Sequence, residues 1–448
     1  MLEKIKSHVT YTRFLGLGFL VIILLGTLLL CLPVSSAERV WTPFVNSLFT
    51  ATSATCVTGL VVYDTYTHWS LFGQLVILSM IQIGGLGFMT LVTVFSTSFT
   101  KRQISLKERR ILMQSAGNTE LAGIVRLIRR IVCITFAFEG AGACVLAVTF
   151  CRDFGIKRGI YYAVFHSISA FCNAGFDLMG INKQFSSLTG YAGNPSVIIT
   201  LSLLIIIGGI GFLVINDLLS VKFSFKKLRL HSKISIITTL VLIVLGTVLL
   251  FVFEQNYTLK DMPVGKQLLV SFFQSVSPRT AGFNAVEMAE LSDSSALLTV
   301  IYMFIGGCPG STAGGVKTTT LFVLIMSVVA TIRHSKDVNV FKRRMEDDTA
   351  RQACAVVCVY LAAFLLGTMA VCALEPAGLK EVLFEVTSAG GTVGLSMGIT
   401  GTLCTVSKLI IALLMYGGRI GVLSFVMLLA ERKPEVQANR PVEKILIG

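Results

Sequence analysis

The chain has 448 residues, 54% of them hydrophobic and only 14% charged, with a formal net charge of +14. Soluble domains carry about 25% charged residues, so this composition excludes an ordinary soluble protein. Nor does the positive excess mark a nucleic-acid binder, because 26 of the 38 Lys and Arg lie in five short places: up to residue 13 and within 101–130, 222–233, 333–351 and 432–444. Between them run uncharged apolar stretches such as 14–32 and 234–253, close to the ~20 residues that span a bilayer. The alternation is the positive-inside pattern. It predicts a multi-pass protein of the plasma membrane with both termini and three basic loops in the cytoplasm, and a secondary attraction to anionic lipid. The basic N-terminus reads as the start of a retained first helix, since no small-residue cleavage site follows residue 32. Eleven scattered cysteines show neither a metal-binding spacing nor a disulfide framework.

The predicted elements fall into four units of the same form: helix, half-length helix, loop, helix. The first (1–100) reads as a span over 13–32, a short apolar segment over 41–56 and a return over 71–99. A dozen helical residues reach only ~18 Å of a ~30 Å hydrocarbon core, so the short segment enters and turns back. The second unit (101–222) opens with a basic loop in which Leu106, Ile111, Leu112 and Leu121 alternate with charges, as in a surface amphipathic helix. It continues through 127–150, 160–172 and 197–221. The third (223–332) uses 234–253, 264–277 and 297–332. The fourth (333–431) uses 353–374, 377–388 and 405–430, and a cytoplasmic tail covers 432–448. The predicted fold class is therefore an all-α polytopic membrane protein of four pseudo-repeats around one central pore.

Each half-length segment ends in a related loop. These are Ser53-Ala54-Thr55-Cys56-Val57-Thr58-Gly59-Leu60, Ser169-Ala170-Phe171-Cys172-Asn173-Ala174-Gly175-Phe176, Val276-Ser277-Pro278-Arg279-Thr280-Ala281-Gly282-Phe283 and Ser388-Ala389-Gly390-Gly391-Thr392-Val393-Gly394-Leu395. Their glycines stand 116, 107 and 112 residues apart. One such loop is most simply a small-residue packing motif. Four in equivalent places argue for a shared structure. Irregular backbone is tolerated at membrane depth only where protein or a water-filled cavity satisfies it. Four loops around one axis meet that condition when their carbonyls replace the hydration shell of a cation. Glycine allows the carbonyls to turn inward, and the C-terminal end of each short helix favours a positive charge.

On these motifs the chain resembles the Trk/Ktr/HKT superfamily of potassium transporters, and within it the membrane subunits of the bacterial Ktr systems. Thr392-Val393-Gly394 is similar to the core of the potassium-channel signature. Ser277–Asn284 and the run Gly306-Gly307-Cys308-Pro309-Gly310-Ser311-Thr312-Ala313-Gly314-Gly315-Val316-Lys317-Thr318 carry the resemblance most specifically. It implies potassium uptake through a backbone-carbonyl filter, with K+ as the transported ion and no organic cofactor in this chain. The implied filter residues are Val57, Thr58 and Gly59; Asn173, Ala174 and Gly175; Thr280, Ala281 and Gly282; and Thr392, Val393 and Gly394. The resemblance further implies a homodimer with one pore per protomer, a KtrA-like cytosolic ring of RCK type that binds ATP, ADP or another nucleotide and regulates the pore, and, in many members, sodium-stimulated uptake. Arg279, so near a cation path, is expected to point away from it and brace its loop.

The third return segment is interrupted. Residues 306–315 hold five glycines and a proline, at ~1 kcal/mol per Gly and ~3 for Pro in a helix. The resemblance makes this break an intramembrane gate: Gly306, Gly307, Cys308, Pro309, Gly310, Ser311, Thr312, Ala313, Gly314 and Gly315, with Lys317 behind it. A phosphate-binding loop is excluded because Val316 separates Gly315 from Lys317. Arg419, mid-span at a cost of at least ~2.5–3.5 kcal/mol, is assigned to the cavity, contacting loop carbonyls or an acid and repelling cations while the gate is shut. The glycine clusters at 84–87, 208–211 and 417–421 read as tight packing or hinges. A coupled symporter moving H+ or Na+ with K+ is the alternative; it needs intramembrane acids, and only Glu139 stands out, itself more simply a helix-to-helix hydrogen bond. No hydrolase constellation accompanies His166, and no enzyme is expected.

Overall fold

The computed structural model describes residues 11–87 and 124–422, apart from 182, 336, 342 and 347. The expected amphipathic helix near Leu106–Leu121, the return segment beyond 87 and the tail 432–448 lie outside the described residues. The first unit comprises α1 (Tyr11–Cys31), α2 (Phe44–Cys56), α3 (Thr65–His68) and α4 (Leu71–Leu86). The second has α5 (Ile124–Phe154), α6 (Ile156–Phe171), α7 (Pro195–Ile210) and α8 (Phe212–Ser220). The third has α9 (Leu230–Glu254), α10 (Val264–Val276), α11 (Asp293–Phe304) and α12 (Thr318–Ile332). A two-stranded hairpin, β1 (Asn339–Val340) and β2 (Arg343–Arg344), leads to α13 (Asp348–Leu374), α14 (Leu379–Gly391) and α15 (Thr405–Ile420).

Among the described residues α5, α9 and α13 contain helices long and apolar enough to cross a bilayer, and the bent pair α7–α8 is a fourth candidate. Their outer faces are apolar: Leu240, Val241, Val244, Leu245 and Val248 along α9 are all exposed. A contiguous stripe of this kind is rare on a soluble monomer and suits lipid contact.

The short helices α2, α6, α10 and α14 run 13, 16, 13 and 13 residues. Each is buried through its last turns and carries a phenylalanine one turn before the serine of its loop: Phe49, Phe165, Phe273 and Phe384, all at most 1% exposed. Positions four apart share a helix face. The same face of each short helix therefore anchors in the protein interior, and the loop that follows is delivered to the centre.

One boundary departs from expectation in a revealing way. The return over 197–221 is not one helix; α7 and α8 are bent by 92°. The break falls at Gly211 (φ 99°), as α4 ends before Gly87 (φ 80°) and α15 before Gly421 (φ 94°). These are left-handed angles that glycine adopts without a Cβ penalty. The glycines one turn earlier do pack tightly: Gly84, Gly208 and Gly418 lie against the carbonyls of Thr55, Phe171 and Gly390 at the ends of α2, α6 and α14. Each cluster thus does two things, close approach and then a turn.

Candidate ion-conducting site

The four glycine loops meet. A methyl group placed on Gly59 would lie under 3.0 Å from the carbonyl oxygen of Ala174, on Gly175 from that of Ala281, on Gly282 from that of Val393, and on Gly394 from that of Thr58. Each glycine faces the carbonyl that precedes the glycine of the next loop, and the fourth closes on the first. All four glycines have positive φ, between 71° and 98°, so both space and backbone angle demand glycine. The residues two places earlier, Val57, Asn173, Thr280 and Thr392, are also left-handed, with φ of 58°, 59°, 79° and 53°. For β-branched Val and Thr this costs ~1–3 kcal/mol each, and no sequence signal announced it. The buried hydroxyls of Thr58 and Thr392 have no hydrogen-bond partner in the protein. Buried polar groups are seldom left so.

On one side of the ring lies a cavity of about 360 Å³, lined by the four glycines and by residues that follow them, including Asp64, Asp177, Asn284 and Glu287. Asp64 accepts the N–H groups of Tyr66, Thr67 and Phe185 at 3.0, 2.9 and 2.9 Å, tying the first unit to the second. Burial pushes the Asp177 carboxyl up to about 7, against the pull of the Met179 N–H and with a further push from the charge of Asp64. Glu287 pairs with exposed Lys183 at 2.6 Å.

On the other side sits the segment joining α11 to α12. Gly306 N–H donates to the Val316 carbonyl at 2.9 Å and Val316 N–H to that of Phe304 at 3.2 Å, closing it into a loop. The bend at Gly211 receives it: Cys308 N–H reaches the Gly209 carbonyl at 2.9 Å and Phe212 N–H the Gly310 carbonyl at 2.9 Å. Thr312 Oγ1 donates to the Phe171 carbonyl at 3.3 Å, while Gly314 abuts the side chain of Thr392. Residues 306–315 therefore span from the second glycine loop to the fourth.

Arg419 joins this loop to the first unit. Its Nη1 donates to the Thr312 carbonyl and its Nη2 to those of Gly84 and, at 3.5 Å, Gly85. Lys317 Nζ donates to the Ala313 carbonyl at 2.7 Å and the Gly314 carbonyl at 3.4 Å. Arg279 is buried against α9, its Nη2 3.4 Å from Thr239 Oγ1. Glu139 on α5 accepts both bonds from Gln82 Nε2 on α4, at 3.1 and 3.2 Å.

Residues 18–439 match the TrkH family, described as a cation transport protein. The chain belongs to the TrkH cation transport family. It is a multi-pass membrane transporter and not an enzyme. It is 37% identical to the potassium/sodium uptake protein NtpJ of Enterococcus hirae over 455 residues, covering 100% of this chain and 99% of that one. With the Ktr system potassium uptake protein B of Bacillus subtilis it shares 37% identity over 433 residues, 96% and 95% of the two chains. The crystal structure of the potassium transporter TrkH from Vibrio parahaemolyticus superposes with a TM-score of 0.72 at 17% identity, over 95% of this chain and 86% of that one. That last likeness supports the fold.

Glu385 near the ring escaped sequence reasoning, and so did the tie made by His166, which the sequence raised only in weighing a hydrolase. Glu385 on α14 is fully buried and accepts the hydroxyls of Ser396, at 2.7 Å, and Thr400. His166 on α6, equally buried, donates from Nδ1 to the Tyr162 carbonyl at 2.7 Å and accepts the Leu178 N–H at Nε2 at 3.3 Å. Each ties a short helix to the chain just past its filter glycine. An acid and a histidine at equivalent depth were the available signal.

Proposed function

We propose that this transporter takes up K+ across the plasma membrane through the ring of Gly59, Gly175, Gly282 and Gly394, in one pore built from the four units. The observation that carries this reading is the cyclic approach of each glycine to the carbonyl of the next loop. Such a ring supplies oxygens at fixed positions that replace hydration water. The relatives' names, potassium/sodium uptake protein and Ktr system potassium uptake protein, support the choice of ion. Passive entry suffices energetically: 100 mV inside-negative contributes ~2.3 kcal/mol per charge, about 50-fold accumulation at 1.4 kcal/mol per tenfold.

In this reading the acidic cavity faces outward, both termini are cytoplasmic, and residues 306–315 with Lys317 and Arg419 obstruct the inner side until a cytosolic nucleotide-binding ring releases them. The chain acts as a homodimer with one pore per protomer, and its uptake is stimulated by sodium. The symport reading gains nothing from Glu139, whose carboxylate is engaged by Gln82. Growth of a potassium-uptake-deficient cell at low potassium tests the proposal. Rescue with a co-expressed regulatory subunit is the expected result; failure to rescue or to accumulate rubidium overturns it.

A further inference from the structure

A serine in the last turn of α2, α6 and α14, and just past the end of α10, shows a pattern the filter reading does not use. Ser53, Ser169, Ser277 and Ser388 are fully buried. Their backbone carbonyls behave alike, each accepting the N–H of the residue before the filter glycine: Thr58 at 2.8 Å, Ala174 at 2.8 Å, Ala281 at 2.9 Å and Val393 at 2.8 Å. Their hydroxyls divide into two kinds. In units one and four the hydroxyl accepts the N–H of the filter glycine itself, Gly59 at 3.0 Å and Gly394 at 3.0 Å. In units two and three it donates to the carbonyl one residue beyond the glycine, that of Phe176 at 2.7 Å and that of Phe283.

The peptide plane turns this difference into a difference of role. In a trans peptide the N–H and the preceding C=O point in opposite directions. Holding the Gly59 N–H on the helix side turns the Thr58 carbonyl to the opposite side, where it meets Gly394. Holding the Gly394 N–H does the same for the Val393 carbonyl, which meets Gly282. In the other two units the held group is the carbonyl one residue past the glycine, that of Phe176, which lines the cavity, and that of Phe283, which is followed by cavity-lining Asn284. The Asn284 N–H accordingly reaches Ser187 Oγ at 3.3 Å. The split follows the residue after the glycine: leucine (Leu60, Leu395) where the hydroxyl accepts, phenylalanine (Phe176, Phe283) where it donates.

We propose that these serines are positioning residues with two separate roles. Ser53 and Ser388 set the orientation of ring carbonyls and thereby the discrimination between monovalent cations. Ser169 and Ser277 set the rim through which cations reach the ring. This rests on the uptake reading above.

The test uses the full chain in cells lacking other potassium uptake, with rubidium uptake measured over a concentration series and against sodium. Ser53→Ala and Ser388→Ala lower the rubidium-to-sodium ratio about tenfold, the size of one buried hydrogen bond at 1.4 kcal/mol per tenfold. Ser169→Ala and Ser277→Ala raise the rubidium KM about fivefold and leave the ratio within about twofold. Threonine at each position keeps the hydroxyl and restores the unaltered values. If an alanine variant is not recovered from membranes, the cysteine variant, of similar size but a weaker hydrogen-bonding partner, shifts the same quantity in the same direction. Equal ratio changes in all four variants, no change in any, or no recovery with threonine overturns the assignment. No rubidium uptake by the unaltered chain overturns the uptake reading as well, so the two failures are distinguishable.

Discussion

The guanidinium of Arg419 is bonded to the carbonyl of Thr312, 107 residues away in sequence, and through its other nitrogen to the carbonyls of Gly84 and Gly85. One side chain of the fourth unit thus holds the loop of the third against the first. Hydrogen bonds from a charged donor are worth ~1.5–3 kcal/mol each. Arg419→Ala is therefore expected to raise rubidium flux without the regulatory subunit at least about tenfold. Flux unchanged both with and without the regulator would remove Arg419 from the gate.

At Gly59 a side chain meets two obstacles, the nearby Ala174 carbonyl and a φ of 93°. Gly59→Ser pushes the Ala174 oxygen out of position, and the ratio of potassium to sodium permeability should fall about tenfold, in line with ~1–2 kcal/mol for left-handed backbone at a residue with a Cβ. An unchanged ratio in a variant that still transports would end the claim that Gly59 sets selectivity.

In the proposed uptake reading, Asp177 is expected to make uptake depend on the pH on the cavity side. Its carboxyl is raised to about 7 by burial, opposed by the Met179 N–H and assisted by Asp64. Ionisation as pH rises through about 7 would add a negative charge to the cavity wall and favour cation entry; protonation on the acid side would remove it. A unit charge ~10 Å from the path in water is worth ~0.4 kcal/mol, so rubidium uptake at low concentration should fall about twofold between pH 8 and pH 6. Asp177→Asn should sit at the acidic level throughout. A pH profile identical in the variant and the unaltered chain excludes this role. The sign for stability is the reverse: a carboxyl raised on folding stabilises the fold below its ordinary range, and that contribution is lost as pH rises through about 7.

Glu139 separates structure from ion coupling. Glu139→Gln keeps a carbonyl for Gln82 Nε2 and should transport normally. Glu139→Leu takes the carboxylate partner from the half-buried Gln82 Nε2 and should lower stability by ~1–3 kcal/mol, read as a drop in Tm of the purified protein. Well-folded but inactive Glu139→Gln would move the carboxylate onto the transport path and revive the symport alternative.

Much of the fold was legible because membrane constraints are strong. The lengths of α2, α6, α10 and α14, the glycines ending their loops and the break at 306–315 follow from hydrophobicity and from glycine and proline chemistry alone. The left-handed angles at Val57, Asn173, Thr280 and Thr392 were not legible, since nothing in a valine or threonine announces a conformation that only its neighbours enforce. The bend at Gly211 was hidden for a related reason. It exists to receive Cys308 and Gly310, some hundred residues downstream, and a run such as Gly208-Gly209-Ile210-Gly211 reads locally as packing.

Because Gly394 faces Thr58 and Gly282 faces Val393, the ring is completed by its last quarter. A ribosome that has finished three units has made a membrane-inserted chain whose ring stands open. Synthesis at about 5–20 residues per second leaves that interval at roughly 6–22 s for a unit of this length. Any route by which the partial chain escapes degradation would leave a membrane with unclosed carbonyls at its centre. The contact between residue 394 and residue 58 is therefore the last one of the ring that synthesis can supply.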